Sequence, residues 1–469
     1  MNVELRNYDI YPKVICAGST AGITIRPLGL HAQFPDTVQL CLSPIQGRVY
    51  PLDDVQRGMC TYDLKPDDDG CLRFEHSFAS EQEYILRFTN RRGQDCKLSV
   101  YAVDSDLAGL VPLMGDLHLH SIRSDGRQDP AFLAAYMRRM GYDFIALTDH
   151  RNFSGSIECI DAYRDAPIEM CLMTGEEVHL PDCHIHCVHV GGQYSINAMV
   201  DTVFAELEKT NPGITARFPK MWTKMEGSSF PGTMTEAEFR STIEAYADTL
   251  EPIPQGIPRY VYAGFCWICE QIRAAGGLSI FPHPYWIHNS AVHGAAFHAD
   301  ERLTQYLFEK QPFDAFEELG GERYFEHNGL QAVHYYQALA DGLRFPIVGS
   351  SDGHGLFMQP SAFVASTICF ARENSSPAIL EAIRDSRTVA VDLISQEFRL
   401  VGDLRLVKYA CFLMNSYFPL HQEACYEQGR AMLEYYCGDR DAGLKLLQTL
   451  DGRIQGMWKK YFNKCCYSE

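Results

Sequence analysis

The sequence is poor in positive charge and has no long apolar run. Its 469 residues carry 41 Lys and Arg against 60 Asp and Glu, a formal net charge of −19. This balance argues against a basic track for long nucleic acid or an anionic membrane, although bound cations can locally attract a small anionic substrate. No apolar run approaches the roughly 18 residues of a membrane span. The opening MNVELRNYDIYPK lacks the cationic flank and apolar core of a signal peptide. We therefore expect a globular, cytoplasmic protein.

The cysteines show neither a disulfide framework nor a zinc-finger spacing. There are 17, an odd number scattered through the chain, and without an export signal they are expected to be reduced thiols. The CxxC motif from Cys266 to Cys269 lies in a helical pattern of bulky apolar residues, and no second CxxC completes a zinc site. This context favours core packing over a redox or zinc role.

Residues 1–110 are predicted to form a β-rich N-terminal domain. The strand-like runs EYILRFTN and CKLSVYAV are joined by the turn RRGQD, and KPDDDG forms a turn before CLRFEHSF. The aspartates of DDDG lack the remaining ligands of a calcium loop, so a plain turn is favoured. Short strands at this spacing predict a small β-sandwich-like domain.

Residues 111–394 alternate between strand and helix patterns. The strands LMGDLHLH and YDFIALTDH flank a helix with Asp129 as N-cap, Pro130 in its first turn and Gly141 after its end. Such alternation with parallel crossovers predicts an α/β barrel. A helical insertion at about 193–260 interrupts the pattern, and residues 395–469 are predicted to form a C-terminal helical region.

Histidines are concentrated in the middle of the chain, where 14 of the 17 lie between His118 and His354. In GDLHLH, His118 and His120 share one face of a strand because successive side chains alternate. The stretch SSDGH repeats this spacing with Asp352 and His354. These residues follow predicted strands, whose carboxyl ends form the active-site face of a parallel barrel. Imidazole and carboxylate side chains gathered there can hold metal ions.

Six motifs together resemble, in order and spacing, those of the polymerase and histidinol phosphatase (PHP) superfamily: GDLHLHSIRSDG, ALTDH, TGEEV, HIHCV, FPHP and GSSDGH. The resemblance covers roughly residues 113–192 and 258–392. It implies a distorted (β/α)7 TIM-like barrel that holds two or three divalent metal ions, with zinc, manganese and iron all suited to the donors. The implied metal ligands are His118, His120, Asp125, His150, Glu177, His186, His283, Asp352 and His354. His120, Asp352 and His354 are also expected to be catalytic.

Several neighbouring residues compete for these assignments. The family spacing favours Glu177 over Glu176. Strand alternation would place His184 and His186 on one face and His189 on the other, and the spacing from Glu177 favours His186. Asp149 is expected to support the turn rather than to bind metal. The further histidines are expected to be structural or at the rim of the site, namely His179, His288, His293 and His327.

The implied activity is hydrolysis of a small-molecule phosphate ester through a metal-activated hydroxide, because clustered metal ions lower the pKa of bound water and hold the attacking and leaving oxygens in line. The alternatives are an amidohydrolase-like reaction on the same cluster and a non-catalytic ligand-binding barrel. Arg123 is a candidate phosphate contact or else a solvated arginine. Trp286 is a candidate to stack on substrate or else a core residue. The expected partner is a small phosphorylated substrate, with neither long nucleic acid nor membrane.

The insertion is predicted to fold over the barrel mouth as a lid, because loops after strand carboxyl ends emerge on the active-site face. It carries basic residues that could attract an anionic substrate. These are Lys209, Arg217, Lys220 and Lys224. The alternative is a surface excursion that packs on a neighbouring subunit.

Overall fold

The computed structural model describes residues 3–46, 58–201, 233–290, 294–320, 325–355, 365–393 and 399–462. The chain divides into two compact units. One unit draws on Met1–Val111, Asp403–Glu427 and Leu450–Glu469, and the other on Pro112–Gly402 and Gln428–Thr449, as far as these ranges are described. Among the described helices, none is both long enough and apolar enough to cross a lipid bilayer.

The first unit contains two β-sheets. Its strands are β1 (Tyr8–Tyr11), β2 (Val14–Cys16), β3 (Ser19–Pro27), β4 (Val38–Pro44), β5 (Cys60–Leu64), β6 (Leu72–Phe78), β7 (Gln82–Thr89) and β8 (Asp95–Val103). One sheet has the order β1-β3-β6 and the other β2-β8-β7-β4-β5. Alternate residues such as Leu40 and Leu42 on β4 are buried in one apolar cluster that takes residues from both sheets. Two sheets over a shared core are the arrangement of a sandwich.

The second unit contains the strands that follow. They are β9 (Val111–Asp116), β10 (Phe144–Ala146), β11 (Cys171–Met173), β12 (Gly175–Val178), β13 (Cys187–Val190), β14 (Val200–Asp201), β15 (Met234–Thr235), β16 (Leu278–Phe281), β17 (Ile287–Ser290), β18 (Gly294–Phe297), β19 (Ala315–Leu319), β20 (Ile347–Gly349), β21 (Ala365–Ala371), β22 (Thr388–Asp392) and β23 (Leu400–Val401). The two large sheets have the orders β11-β10-β9-β21-β22-β23 and β12-β13-β16-β19-β20.

The helices begin with those that alternate with these strands and continue into the C-terminal region. They are α1 (Pro130–Met140), α2 (Ser154–Ala162), α3 (Glu236–Ala247), α4 (Arg259–Ala274), α5 (Glu301–Lys310), α6 (Phe325–Ala340), α7 (Ser376–Arg384), α8 (Leu404–Ser416), α9 (Phe418–Cys437), α10 (Arg440–Leu450) and α11 (Arg453–Phe462). The mixed α/β class predicted for the middle of the chain is confirmed.

The expectation that the strands run parallel throughout is wrong at β13. Strand β13 pairs antiparallel with both β12 and β16, and β21 pairs antiparallel with β22, whereas β9, β10 and β11 are parallel, as are β16, β19 and β20. A short turn after β12 reverses the chain without the dozen or more residues that a parallel crossover needs. The amino end of β13 therefore faces the same way as the carboxyl end of β12.

Local sequence signals account for the predicted helix boundaries. The side chain of Asp129 accepts a hydrogen bond from the Ala131 amide at 3.1 Å, and Gly141 ends α1 in the left-handed conformation. Thr235 and Glu238 form the predicted capping box of α3. The CxxC cysteines of α4 are buried in the apolar core, which confirms the packing interpretation of that motif.

Candidate metal centre

The ends of several strands bring imidazoles and carboxylates into one buried cluster. After β9, the chain from His118 to His120 runs beside the segment from Asp352 to His354, because Leu119 and Gly353 form an isolated parallel bridge. The His120 amide donates to the Gly353 carbonyl at 3.0 Å. The two segments with i, i+2 spacing therefore lie side by side, with 232 positions between His120 and Asp352.

Glu177 lies at the centre of the cluster and presents one oxygen to each of two sets of imidazoles. Its Oε1 is 2.6 Å from His186 Nδ1 and 3.4 Å from His283 Nε2. Its Oε2 is 2.6 Å from His150 Nδ1 and 3.5 Å from His118 Nε2. The side chain is fully buried. A carboxylate in this position can bridge two cations.

Three groups of donors surround Glu177. His118, His120 and Asp352 form the first, with Asp352 Oδ1 3.3 Å from His118 Nε2 and 2.9 Å from His120 Nε2. The second places Asp125 Oδ1 3.5 Å from His150 Nε2 and 3.3 Å from His354 Nε2.

The third group consists of His186 and His283 with an additional histidine, His298. The His186 amide donates to Nε2 of His298 at 2.8 Å. The nine side chains implied by the PHP resemblance therefore all lie in this cluster.

The cluster fits divalent metal ions because its inward-facing polar atoms lack hydrogen-bond partners among the described residues. These atoms are His118 Nε2, Asp125 Oδ1, Glu177 Oε1 and Oε2, and His186 Nδ1. Buried polar groups are normally satisfied, so converging unsatisfied nitrogens and oxygens indicate an ion that they share. The donors are imidazole nitrogens and carboxylate oxygens, which suit zinc, manganese and iron.

Backbone strain is concentrated at the cluster. His283, Asp352 and Arg151 adopt positive φ angles of 31°, 47° and 53°. Left-handed backbone is unfavourable for residues with a Cβ, and strained conformations of this kind gather at functional sites. The strain places His283 and Asp352 in the cluster where a relaxed strand end would not.

The side chains of the cluster differ in the direction of their pKa shifts, and so in their protonation states. Burial raises the pKa of Glu177, but the imidazoles of His150, His186 and His118 outweigh it and hold that pKa well below its usual range. Burial and the neighbouring imidazoles lower the pKa of His120 to about 3. Burial also lowers the pKa of His186 to about 4, although Glu177 acts to raise it. Glu177 is thus an anion and His120 and His186 are neutral at pH 7, the states that metal ligation requires.

Two further carboxylates, Asp149 and Glu317, hold segments that carry the candidate ligands. Asp149 accepts from the Ser121 amide and hydroxyl, both at 2.7 Å, and from the Ser124 hydroxyl at 2.6 Å. It supports the turn, as expected from the sequence. Glu317 Oε2 lies 2.9 Å from His118 Nδ1. A carboxylate behind a histidine fixes its tautomer and directs the other nitrogen to the metal.

The structure separates the residues that the sequence left in competition. Glu176 points away from the cluster and accepts a hydrogen bond from the Ser195 hydroxyl at 2.7 Å. His189 Nδ1 is 3.4 Å from Glu176, and His184 is exposed. The strand alternation invoked for His184 is wrong, because residues 181–186 form a turn and bend before β13. His186 reaches the cluster from the amino end of that antiparallel strand.

The two predicted substrate contacts differ in their surroundings. The Arg123 guanidinium binds Glu158, with Nε and Nη2 each 2.6 Å from Oε2. The Trp286 ring is half-buried, with its centroid 6.2 Å from that of His186 and 6.0 Å from that of His283. Trp286 is thus beside the metal ligands, whereas Arg123 is held by a carboxylate.

Helix α3 of the insertion packs on α4. Phe239 and Ile243 of α3 are buried in the core that contains α4. The four basic residues predicted to attract substrate lie outside the described residues, as does the central part of the predicted lid.

Sequence reasoning passed over three side chains of this centre. His179 Nε2 is 2.9 Å from His150 Nδ1, although His179 was expected to be structural or at the rim. His298 and Glu317 carry no motif of their own. Their only sequence signal is proximity to predicted strands and turns, which many other histidines and glutamates share.

The chain is similar to known proteins over parts of its length. No protein-family model matches the chain. A 5'-3' exoribonuclease of Haemophilus influenzae is 27% identical over 201 residues, 36% of this chain and 68% of that protein.

Two solved structures are also similar. A two-domain protein from Bacteroides vulgatus, described as containing a predicted PHP-like metal-dependent phosphoesterase, is 16% identical with a TM-score of 0.37. That match covers 60% of this chain and spans 65% of the length of the other. An amidohydrolase from Chromobacterium violaceum is 22% identical, with a TM-score of 0.31, over 52% of this chain and 89% of that one. These likenesses include PHP-like and amidohydrolase proteins, but the chemistry of the centre is argued from its own side chains.

Proposed function

We propose that the protein is a metal-dependent phosphoesterase that acts on a small phosphorylated substrate. The observation that carries the proposal is the buried centre in which Glu177 faces three groups of imidazole and carboxylate donors. Two or three divalent ions would be held there by the nine motif residues. Bound ions of this kind lower the pKa of water and neutralise the charge of a phosphoryl group.

The protein side chains bind and orient around that chemistry. His120 and Asp352 lie beside His354 and Asp125, so ions held by these side chains would neutralise the charge of a phosphoryl group bound there. Trp286 offers an aromatic face beside His186 and His283 for the rest of the substrate. We assign Arg123 a substrate contact only if substrate displaces Glu158.

The proposal also covers the size of the substrate and the location of the protein in the cell. The exoribonuclease relative is named for hydrolysis of RNA, which is also a phosphate ester, so short 5'-phosphorylated oligonucleotides belong in the substrate panel. The net charge of −19 favours small substrates over long nucleic acid. The described cysteines form no disulfide bond with one another, consistent with the proposed cytoplasmic location. The motif order further supports a completed distorted (β/α)7 barrel.

The test is a hydrolysis panel on protein loaded with Zn²⁺ or Mn²⁺. Phosphate monoesters, phosphate diesters, short 5'-phosphorylated oligonucleotides and substituted amides are compared, and a phosphate ester is expected to be turned over. Asp352→Asn and His120→Ala should each remove most of the activity, because each damages a different strand end. His184→Ala, an exposed histidine outside the cluster, serves as the matched control. Activity that survives chelation, or hydrolysis of amides alone, would overturn the proposal.

A further inference from the structure

The insertion begins with a turn that is bonded to the strand carrying Glu177. Residues Asn197–Met199 form a 3₁₀ turn directly after β13. Glu176, the neighbour of Glu177 on β12, is fully buried and accepts from this turn. Its donors are the Ile196 amide at 2.5 Å and the Ser195 hydroxyl at 2.7 Å. Because adjacent strand residues face opposite ways, Glu176 holds the turn while Glu177 faces the metal centre.

Asn197 connects this turn to Glu176, Glu177 and His179. Its Nδ2 donates to Glu176 Oε2 at 2.9 Å and to the Glu177 carbonyl at 3.2 Å. Its Oδ1 accepts from the His179 amide at 2.9 Å. A single side chain thus uses both ends of its amide to hold the Glu176 carboxylate, the Glu177 carbonyl and the His179 amide.

We propose that Asn197 is a positioning residue for the metal centre, and that through it the insertion is coupled to metal binding. Glu177 would hold metal ions together with the imidazoles that face its two oxygens, so its position matters to both sets. The carbonyl of Glu177 is held from one side by the Arg151 amide at 3.0 Å and from the other by Asn197. Removing Asn197 leaves the Glu177 carbonyl with the Arg151 amide as its remaining donor.

The inference rests on the proposed metal centre but not on the proposed reaction. Groups that orient metal ligands typically contribute about 10- to 100-fold to metal affinity. Asn197→Ala is therefore expected to weaken the binding of at least one Zn²⁺ equivalent by about 10- to 100-fold.

The matched control is Asn374→Ala. Asn374 is also half-buried, and its Nδ2 likewise donates to two carbonyls, those of Asp143 at 2.9 Å and Glu169 at 3.3 Å. Neither of these residues belongs to the nine motif positions. Asn374→Ala loses two donated hydrogen bonds and Asn197→Ala loses two donated and one accepted, so a general loss of stability would affect both variants.

The experiment measures Zn²⁺ affinity by competition with a chromophoric chelator, and the visible spectrum after Co²⁺ loading, for the full-length protein and both variants. Weaker Zn²⁺ binding and an altered Co²⁺ spectrum in Asn197→Ala alone would support the proposal. Unchanged affinity in Asn197→Ala, or an equal loss in Asn374→Ala, would overturn it. A wild-type protein that binds no Zn²⁺ would overturn the proposed function as well, whereas a metal-binding protein without esterase activity would overturn only the latter.

A second measurement on the unaltered protein covers the case in which Asn197→Ala does not fold. Coupling between two sites is reciprocal, so metal binding must stabilise the turn as much as the turn stabilises the metal. Hydrogen exchange at the Ile196 and Asn197 amides, which donate to Glu176, is expected to slow when Zn²⁺ is added. Exchange rates at these amides that are the same with and without Zn²⁺ would overturn the proposal.

Discussion

Metal uptake is expected to release protons at pH 7. In the metal-free centre the carboxylates raise the pKa of four imidazoles against the opposing effect of burial, and that of His354 reaches about 10. The others are His118, His150 and His283. A raised pKa favours the protonated form of each imidazole, and each must be neutral to bind a metal ion.

The remaining ligands contribute little to this proton release. Glu177, Asp125 and Asp352 have pKa values held below their usual range by neighbouring imidazoles against the effect of burial, so they are already ionised. His120 and His186 are already neutral, with pKa values of about 3 and about 4. Metal binding therefore replaces protons on these imidazoles with divalent cations, which lie among ionised carboxylates.

Isothermal titration calorimetry of Zn²⁺ in two buffers with different protonation enthalpies measures the number of protons released. Apparent affinity should rise about tenfold per pH unit for each proton coupled to a binding step. Because protonation competes with the metal, affinity rises with pH, and the number of protons released falls as pH rises through the raised pKa values of these imidazoles. The variant His354→Gln should release about one proton fewer. Saturation with Zn²⁺ and no proton release at pH 7 would refute this account of the centre.

Three further predictions concern packing, pH and substrate. Gly115→Ala places a Cβ against the ring of Phe144 and should destabilise the protein by about 1–3 kcal/mol in urea unfolding, whereas Gly22→Ala, with open space around it, should not; equal stability of the two would contradict the packing. Burial lowers the pKa of Lys13 from 10.5 to about 8, so between these values only the unfolded chain binds the proton and wild-type stability rises with pH. Lys13→Met should therefore be more stable than wild type by up to about 3 kcal/mol at pH 7 and lose this advantage by pH 10.5, and a constant difference across that range would argue against the assignment. Trp286→Ala should raise KM for an aromatic phosphate ester about 2- to 10-fold with unchanged metal content, and an unchanged KM would remove Trp286 from the substrate site.

The centre could be located from sequence because its ligands come in short local patterns. His118 and His120, like Asp352 and His354, are two positions apart, and this spacing keeps side chains on one side whether or not a regular strand continues. Helix caps were equally local, since Asp129 and Gly141 act on their own helix. Features of this kind depend on a few neighbouring residues, and the sequence displays them directly.

The direction of β13 and the presence of His298 and Glu317 in the centre could not be predicted from local patterns. His186 was assigned by its spacing from Glu177, and strand alternation placed His184 on the same face; in the structure His186 reaches the cluster from the amino end of β13, which runs antiparallel to its neighbours. Glu317 and His298 enter through tertiary packing between segments distant in sequence. Their side chains have no local pattern that separates them from structural residues of the same type.

The pairing of residues 118–120 with residues 352–354 has a consequence for folding. The contact between His120 and Asp352 closes a loop of 232 positions, and contacts of such separation form late because the chain loses much conformational freedom to make them. A nascent chain cannot assemble this centre until nearly all of the second unit has left the ribosome. Metal capture then marks the end of folding rather than its nucleus, and bound metal should slow unfolding far more than it accelerates refolding.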